Sequence, residues 1–527
     1  MEIFENVVYQ LGLLAAFILG ILCAAHALLH KREPSSALIW VAICFSIPVV
    51  GSLLYVLFGV NRIHRHATKL MLRSRKLARP GNLSSPADGD GGKPGQCFHP
   101  QDDGEDKIFY PPQEEHAHDH CAEFPMEVPA ALLPAKIRTM ARIGYSVMGM
   151  PLLAGNKVEI LYNGNEAYPA MLEAIAGAEH SIYLDTYIFD SDEVGMAFVD
   201  ALAQAAARGV EVRVQVDGTG TLLTRPRIDK VLRSRGVTVG RFIPPRLFPP
   251  QLSINLRNHR KLLLVDGRLG FTGGMNISSM HMLKPVEKKG LLSRLGLSGP
   301  NQMQDIHFRV QGPILEDFQR IFAREWQFTT GEMLELPQVS IKPQGYSLCR
   351  TILDGPDDYL ERFHSTLLGA ISAAKNSVRI MTPYFLPPRP LITALQSAAM
   401  RGLDVAIILP EEMDHRVVKW ATTNVLWEFL GRGIHIYYQP APFNHSKLLL
   451  IDGYYAHVGS ANLDARSLRL NFELTMEVFD LHVAGELERH FAEVRAKSRE
   501  CTLEEINARS LPEKMRDAAF WLISPYM

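Results

Sequence analysis

The chain has 527 residues, 47% of them hydrophobic, with 55 basic and 56 acidic side chains and a formal net charge of −1. The apolar content excludes a chain disordered as a whole, and a charge near zero argues against a general nucleic-acid-binding protein, which carries a basic excess. Six cysteines in a chain of this length do not form the disulfide framework of a small secreted protein.

The N-terminus carries two long apolar runs, residues 7–29 and 37–60. Each is long enough to cross a hydrocarbon core of about 30 Å, and the short link 30–36 predicts a transmembrane helical hairpin within residues 1–62. A secretory signal is the alternative for the first run. It is disfavoured because Glu2 and Glu5 replace the usual basic residues and no cleavage site follows.

A basic collar follows the second run. Its members are Arg62, Arg65, Lys69, Arg73, Arg75, Lys76 and Arg79. Because the link between the runs holds only Lys31 and Arg32, the positive-inside rule predicts that the rest of the chain lies in the cytoplasm. The collar also suits anionic lipid head groups, although it would serve equally as a topology signal alone.

Residues 80–129 are rich in Gly, Pro, Asp and Ser and predict a flexible linker, so that collar and linker together occupy 63–130. Within the linker lies the tract His-Ala-His-Asp-His-Cys at 116–121. Histidine-rich tracts can hold transition metals. We expect adventitious metal or none here, with a purposeful site as the alternative.

Beyond the linker, strand-like and helix-like runs alternate, which predicts an α/β fold. The first series is 181–189, 197–208 and 210–216, and a matching series follows at 377–385, 391–401 and 405–409. The recurrence indicates an internal duplication. We therefore predict two homologous α/β lobes, 131–340 and 341–527.

The strongest signal is a segment that occurs twice, at 258–267 and 444–453, with eight of ten positions identical. Alternate residues of a strand share one face, so His259 projects with Lys261 and His445 with Lys447. If the lobes pack about a pseudo-twofold axis, one cleft holds both pairs.

Such a cleft suits a phosphodiester. One neutral imidazole can attack phosphorus to form a phosphohistidine, and the other, protonated, can supply a proton to the leaving alkoxide. Lysines and amides can stabilise the phosphate oxygens without a metal. The predicted phosphate-binding residues besides the lysines are Asn276, Asn462, Gly273, Gly459 and Ser460.

Four acidic residues complete the predicted site. Asp305 and Glu473 align in two strand-like segments and are predicted to orient the histidines, with a structural role as the alternative. Asp266 and Asp452 precede glycines in two predicted hairpin turns. For these two, a catalytic role and a role in the turn alone both remain open.

The pattern H-x-K-(x)4-D-(x)6-G-[GS]-x-N, present twice, resembles that of the phospholipase D superfamily. Together with the N-terminal hairpin it is similar to the bacterial cardiolipin synthases of that superfamily. The resemblance implies two phospholipase D-like lobes that form a pseudo-twofold catalytic core. It also implies no cofactor, and catalysis by His259, Lys261, Asp266, His445, Lys447 and Asp452.

The same resemblance implies transfer of a phosphatidyl group between two phosphatidylglycerol molecules, giving cardiolipin and glycerol, with His259 as nucleophile and His445 as acid/base. The partners would be phosphatidylglycerol, other anionic phospholipids and the bilayer of a bacterial inner membrane, not nucleic acid. The oligomeric state stays open. Alternatives are a membrane-anchored phosphodiesterase that uses water, including a nuclease, and an inactive scaffold.

An insertion in the first lobe interleaves basic residues with leucines over 284–299. A basic stretch that bears leucines suits a lipid interface. The alternative is an ordinary solvated loop.

Overall fold

The computed structural model describes residues 2–31, 34–56, 128, 133–245, 256–283, 302–336 and 341–524. They belong to two compact units, divided at residue 70. The basic collar, the linker with its histidine tract, and the 284–299 insertion lie outside the described residues.

The N-terminal unit contains helices α1 (Glu2–His30), α2 (Pro34–Ser46) and α3 (Pro48–Leu54). Within α1, Gln10–His30 is long and apolar enough to cross a membrane. The predicted second span is not one continuous helix. It is interrupted at Ile47, because Pro48 lacks an N–H group and disfavours a helical conformation in the residue before it. A two-span topology therefore stays a prediction.

Several polar and thiol groups of this unit lie in its interior. The ring Nδ1 of His26 lies 2.7 Å from the hydroxyl of Tyr55. Cys23 and Cys44 are buried among apolar neighbours, as free thiols. The hydrogen bond provides a partner for His26, which interrupts the first apolar run.

The second unit contains both predicted lobes. The elements of the first lobe are α4 (Ala135–Met148), β1 (Leu153–Tyr162), α5 (Asn163–Ala176), β2 (Ser181–Thr186), α6 (Glu193–Ala207), β3 (Glu211–Asp217), α7 (Ile228–Ser234), β4 (Thr238–Phe242), β5 (Arg257–Asn258), β6 (Leu262–Val265), β7 (Leu269–Gly273), β8 (Met303–Gln304), β9 (Ile306–Gln311) and α8 (Ile314–Thr330).

The second lobe repeats this succession. Its elements are β10 (Ser347–Asp354), α9 (Arg362–Ala373), β11 (Ser377–Met381), α10 (Arg389–Met400), β12 (Asp404–Pro410), α11 (Arg416–Leu430), β13 (His435–Gln439), β14 (Phe443–Asn444), β15 (Leu448–Ile451), β16 (Tyr455–Gly459), β17 (Asn471–Phe479), α12 (Leu481–Ala496), β18 (Arg499–Cys501), α13 (Leu503–Asn507) and α14 (Leu511–Leu522).

The two lobes share one sheet. Its order is β4-β3-β2-β6-β7-β9-β1 in the first lobe, followed by β10-β17-β16-β15-β11-β12-β13-β18 in the second. β1 and β10 pair antiparallel at the centre, and the strand order on either side of this junction is mirrored. The predicted pair of homologous α/β lobes is confirmed, and a continuous sheet joins them.

One short strand from each lobe pairs with a strand of the other lobe. β5, which leads into the first motif, pairs in parallel with the start of β17, and β14 pairs in parallel with β8. The strands that follow each motif histidine, β6 and β15, are buried along their whole length. Both motifs are therefore fixed within the interior, at the junction of the lobes.

Candidate active site

Each motif histidine is anchored to the opposite lobe by its backbone. The N–H of His259 donates to the carbonyl of Phe472 over 2.9 Å, and that of His445 donates to the carbonyl of Gln304 over 2.7 Å. These bonds extend the short strand pairs described above. The lobe that supplies each histidine therefore differs from the lobe that positions its main chain.

The imidazoles also pair with carboxylates of the opposite lobe. Nδ1 of His259 lies 2.9 Å from Oε2 of Glu473, and Nδ1 of His445 lies 2.7 Å from Oδ2 of Asp305. A carboxylate on Nδ1 fixes the ring orientation and tautomer, which leaves Nε2 as the nitrogen available to a substrate. The predicted orienting carboxylates thus contact both histidines, and their catalytic role stays a prediction.

Both lysines are buried beside their histidines. Lys261 Nζ donates to the carbonyl of His259 over 2.7 Å. Lys447 Nζ donates to the carbonyl of His445 and lies 3.0 Å from its Nδ1. Burial lowers the pKa of Lys261 to about 7 and that of Lys447 to about 8. Burial therefore disfavours the charged form of both lysines, and a bound phosphate would stabilise that form.

Burial also lowers the pKa of both imidazoles. The pKa of His259 falls to about 4 because its ring is desolvated, although Glu473 opposes the shift. The pKa of His445 is lowered by burial and then by the nearby lysine charges. Both rings are therefore neutral at about pH 7 in the free protein. A bound phosphate anion would raise the pKa of either ring and favour its protonation.

The carboxylate of Glu473 is held by more than one donor. The hydroxyl of Ser460 donates to its Oε2 over 2.5 Å, and the amide of Asn471 donates to its Oε1 over 3.0 Å. The net pKa of Glu473 is lowered. Burial alone would raise this pKa, but His259 and the other donors outweigh the effect of burial. Ser460 therefore helps to position this carboxylate, and its predicted binding of phosphate stays a prediction.

The two predicted glycines have a packing function. Gly273 and Gly459 have backbone φ angles of 149° and 147°, which residues that carry a side chain rarely adopt. A Cβ on Gly273 would lie 2.7 Å from Nδ1 of His307, and one on Gly459 would lie 2.5 Å from Cα of Thr475. Close contact between neighbouring strands therefore requires glycine here, and phosphate binding by their backbone stays a prediction.

The two predicted asparagines follow these strands. Oδ1 of Asn276 accepts the N–H of Ile188 over 3.2 Å, which fixes the side-chain amide. Asn462 is buried, and its Oδ1 has no hydrogen-bond partner among the described residues. Buried polar groups without partners are rare in proteins, so such an atom is a candidate for contact with substrate.

Asp266 and Asp452 do not lie with the histidines. Asp266 accepts the backbone N–H groups of three consecutive residues over 2.7–3.0 Å, and Asp452 binds an equivalent loop over 2.7–2.9 Å. Both have positive φ, 52° and 53°, and each is followed by a glycine with positive φ, the geometry of a hairpin turn. The turn prediction is confirmed. A catalytic role does not fit this position, because both carboxylates bind the loop before the neighbouring strand.

Two aromatic groups that the sequence did not single out border the site. The Tyr187 ring lies 5.2 Å from the His259 ring, between centroids, and 5.5 Å from Lys261 Nζ. The His281 ring lies 6.0 Å from the His445 ring and is 1% exposed, and its Nδ1 has no partner among the described residues. His281 lies only five residues after the predicted site residue Asn276. This proximity in sequence is the one feature from which a position near the site could have been predicted.

The reverse faces of the two motif strands differ. Arg260, between His259 and Lys261, is fully buried and forms a 2.7 Å ion pair with Glu325. The duplicated position is Ser446, which borders a cavity of about 500 Å³ beside α12. The histidine–lysine pairs are therefore matched in the two lobes, and the positions behind them are not.

Comparison with known proteins agrees with this architecture. Residues 171–288 and 367–495 match the family model described as cardiolipin synthase, PLD-like domain, and residues 18–59 match the phospholipase D-nuclease N-terminal model. A crystal structure of phosphatidylserine synthase from Haemophilus influenzae aligns with a TM-score of 0.54 at 15% identity, over 74% of this chain and all of that one. The fold defines a phospholipase D-like protein with two lobes.

Relatives that match over nearly their whole length identify the family within this class. The chain is 31% identical to the major cardiolipin synthase ClsA of Bacillus subtilis, over 97% of this chain and 98% of that protein. It is 30% identical to cardiolipin synthase A of Pseudomonas putida, over 98% of each. The chain belongs to the family of cardiolipin synthases with phospholipase D-like domains.

Proposed function

We propose that this protein is a phosphatidyltransferase that makes cardiolipin from two phosphatidylglycerol molecules. One imidazole attacks the phosphorus of the donor through Nε2, a P–N bond forms, and the P–O bond to glycerol breaks. The other imidazole supplies the proton that glycerol takes as it leaves. The family order makes His259 the attacking group and His445 the acid/base.

In the second step, a hydroxyl of another phosphatidylglycerol loses its proton to the acid/base histidine. Its oxygen bonds to phosphorus as the P–N bond breaks, which gives cardiolipin and regenerates both rings. Lys261, Lys447, Asn276 and Asn462 stabilise the phosphate oxygens throughout. No redox cofactor or nucleotide enters this balance.

One observation carries the proposal. Two imidazoles, each with Nδ1 on a buried carboxylate of the other lobe, are held where the lobes meet. Each has Nε2 left for the substrate, so that one can form the P–N bond while the other moves a proton. The identity of the curated relatives as cardiolipin synthases supports the choice of substrate.

Purified full-length protein with phosphatidylglycerol labelled in its glycerol head group tests the proposal. We expect cardiolipin and free glycerol. Phosphatidic acid with glycerol would identify a hydrolase instead, and no product would identify a scaffold. His259→Ala and His445→Ala should each abolish turnover, with exposed Arg469→Gln as the control.

We further propose that α1 anchors the protein in a bacterial cytoplasmic membrane, that residues 37–60 cross it again, and that the lobes face the cytoplasm. The apolar length of Gln10–His30 and the basic residues at 62–79 support this orientation. A cysteine introduced at Ser35 should react with an impermeant thiol reagent added to intact cells, and protection there would contradict it.

A further inference from the structure

The surroundings of His259 include a cationic cluster that the mechanism above does not use. Tyr187 lies at its centre: its ring contacts His259, and its hydroxyl accepts Nη1 of Arg257 over 2.8 Å. The guanidinium of Arg257 lies 5.8 Å from the centroid of the same ring. One aromatic side chain therefore separates the imidazole from an arginine.

Arg466 joins this cluster from the opposite lobe. Its carbonyl accepts the N–H of Asn471 over 3.0 Å, and Asn471 pairs with Arg257 where β17 meets β5. Nη1 of Arg466 is buried and has no hydrogen-bond partner among the described residues. Burial and then the charge of Arg257 lower the pKa of Arg466, and Asp464 offsets this only in part. A buried guanidinium N–H without an acceptor is also costly. Both conditions favour an anion bound between the two arginines.

The duplication shows that this cluster belongs to one half of the site. The positions equivalent to Arg257 and Arg466, at the 186-residue offset of the motifs, are Phe443 and Met280. His259 and His445, by contrast, are matched, as are their lysines. The catalytic groups are thus symmetric, and the arginines are an addition beside His259 alone.

The chemistry of the proposed product supplies a reason for the asymmetry. Cardiolipin carries two phosphates joined by one glycerol. Only one of them is the reacting phosphate between the imidazoles, and the other comes with the acceptor lipid as a second anion. Guanidinium groups bind phosphate oxygens through paired, charge-assisted hydrogen bonds.

We propose that Arg257 and Arg466 bind the phosphate of the acceptor phospholipid, one glycerol away from the reacting phosphorus. The inference rests on the proposed function. The subsite takes no part in bond making: the acceptor oxygen still bonds to phosphorus as the P–N bond breaks. The subsite favours binding of an acceptor molecule that has both a hydroxyl and a phosphate over binding of water or glycerol.

The test uses full-length Arg466→Gln and Arg257→Gln with phosphatidylglycerol as donor. Arg469→Gln, three residues along the same loop and exposed, is the matched control. Three acceptors are compared: phosphatidylglycerol itself, soluble glycerol phosphate, and labelled glycerol, which exchanges into the donor and carries no phosphate.

We expect each variant to lower the ratio of cardiolipin formation to glycerol exchange about tenfold, the loss of a charge-assisted contact, while Arg469→Gln leaves the ratio unchanged. The preference for glycerol phosphate over glycerol as acceptor should also be smaller in both arginine variants than in the wild type. Parallel loss of both reactions, or an unchanged ratio, would overturn the subsite. So would a loss confined to glycerol phosphate, which would mark a site for soluble phosphate. Failure of the wild type to form cardiolipin would instead reject the proposed function.

Discussion

At the scale of single residues, the site is built from two histidine–carboxylate pairs that cross the lobe boundary. His259 pairs with Glu473 and His445 with Asp305, and all four side chains are buried. The carboxylates differ, however: burial raises the pKa of Asp305, whereas His259 and neighbouring donors lower that of Glu473. The two imidazoles therefore have matched geometry and unequal electrostatic surroundings.

Replacing either carboxylate should impair catalysis while the fold is retained. Glu473→Gln and Asp305→Asn keep size and hydrogen-bonding capacity but remove the charge that stabilises a protonated ring, so kcat should fall about a hundredfold or more. Steady-state kinetics checks this, with Glu173→Gln, exposed on α5, as control. An unchanged kcat in a folded variant would show that the carboxylates are only structural.

The lysines predict a pH dependence of substrate binding. A lysine is charged below its pKa and neutral above it, and burial places the pKa of Lys261 at about 7 and that of Lys447 at about 8. The free protein thus loses phosphate-binding charge as the pH rises through these values. KM for phosphatidylglycerol should increase from about pH 7 to about pH 9. A flat KM over this interval, measured at constant ionic strength, would contradict the assignment.

At the scale of elements, the turn between β6 and β7 shows how a motif residue can be structural. Asp266 holds the N–H groups of Glu179, His180 and Ser181, the residues that lead into β2. β2 and β6 are neighbours in the sheet. The carboxylate therefore fixes the register of the strand that follows the first histidine.

Asp266→Ala should destabilise the folded protein without a direct effect on the catalytic step. Loss of three hydrogen bonds to a carboxylate should lower the free energy of unfolding by about 3 kcal/mol, and Asp266→Asn, which keeps one acceptor oxygen, should lose less. Thermal unfolding of the two purified variants checks the order. A loss of kcat with an unchanged Tm would restore the catalytic interpretation of this residue.

At the scale of the whole molecule, the duplication and the face of each motif could be predicted because strand periodicity places His259 with Lys261. The sequence could not predict that Glu473 would meet His259, since a linear motif does not say which lobe supplies the partner. Nor did it distinguish the direction in which Ser460 points, or the burial of Arg260 against Glu325. The first feature depends on how the two lobes meet, and the other two depend on side-chain directions within a single lobe.

The central claim is that two imidazoles from different lobes act on one phosphorus atom. Rapid acid-free quenching of the enzyme with phosphorus-labelled phosphatidylglycerol, followed by peptide mapping, tests it most directly. We expect one phosphatidyl group bonded to a histidine nitrogen per chain, on His259 in the wild type, and no such adduct in His259→Ala. Phosphate found on an oxygen of another side chain, or turnover that persists in either histidine variant, would contradict the account.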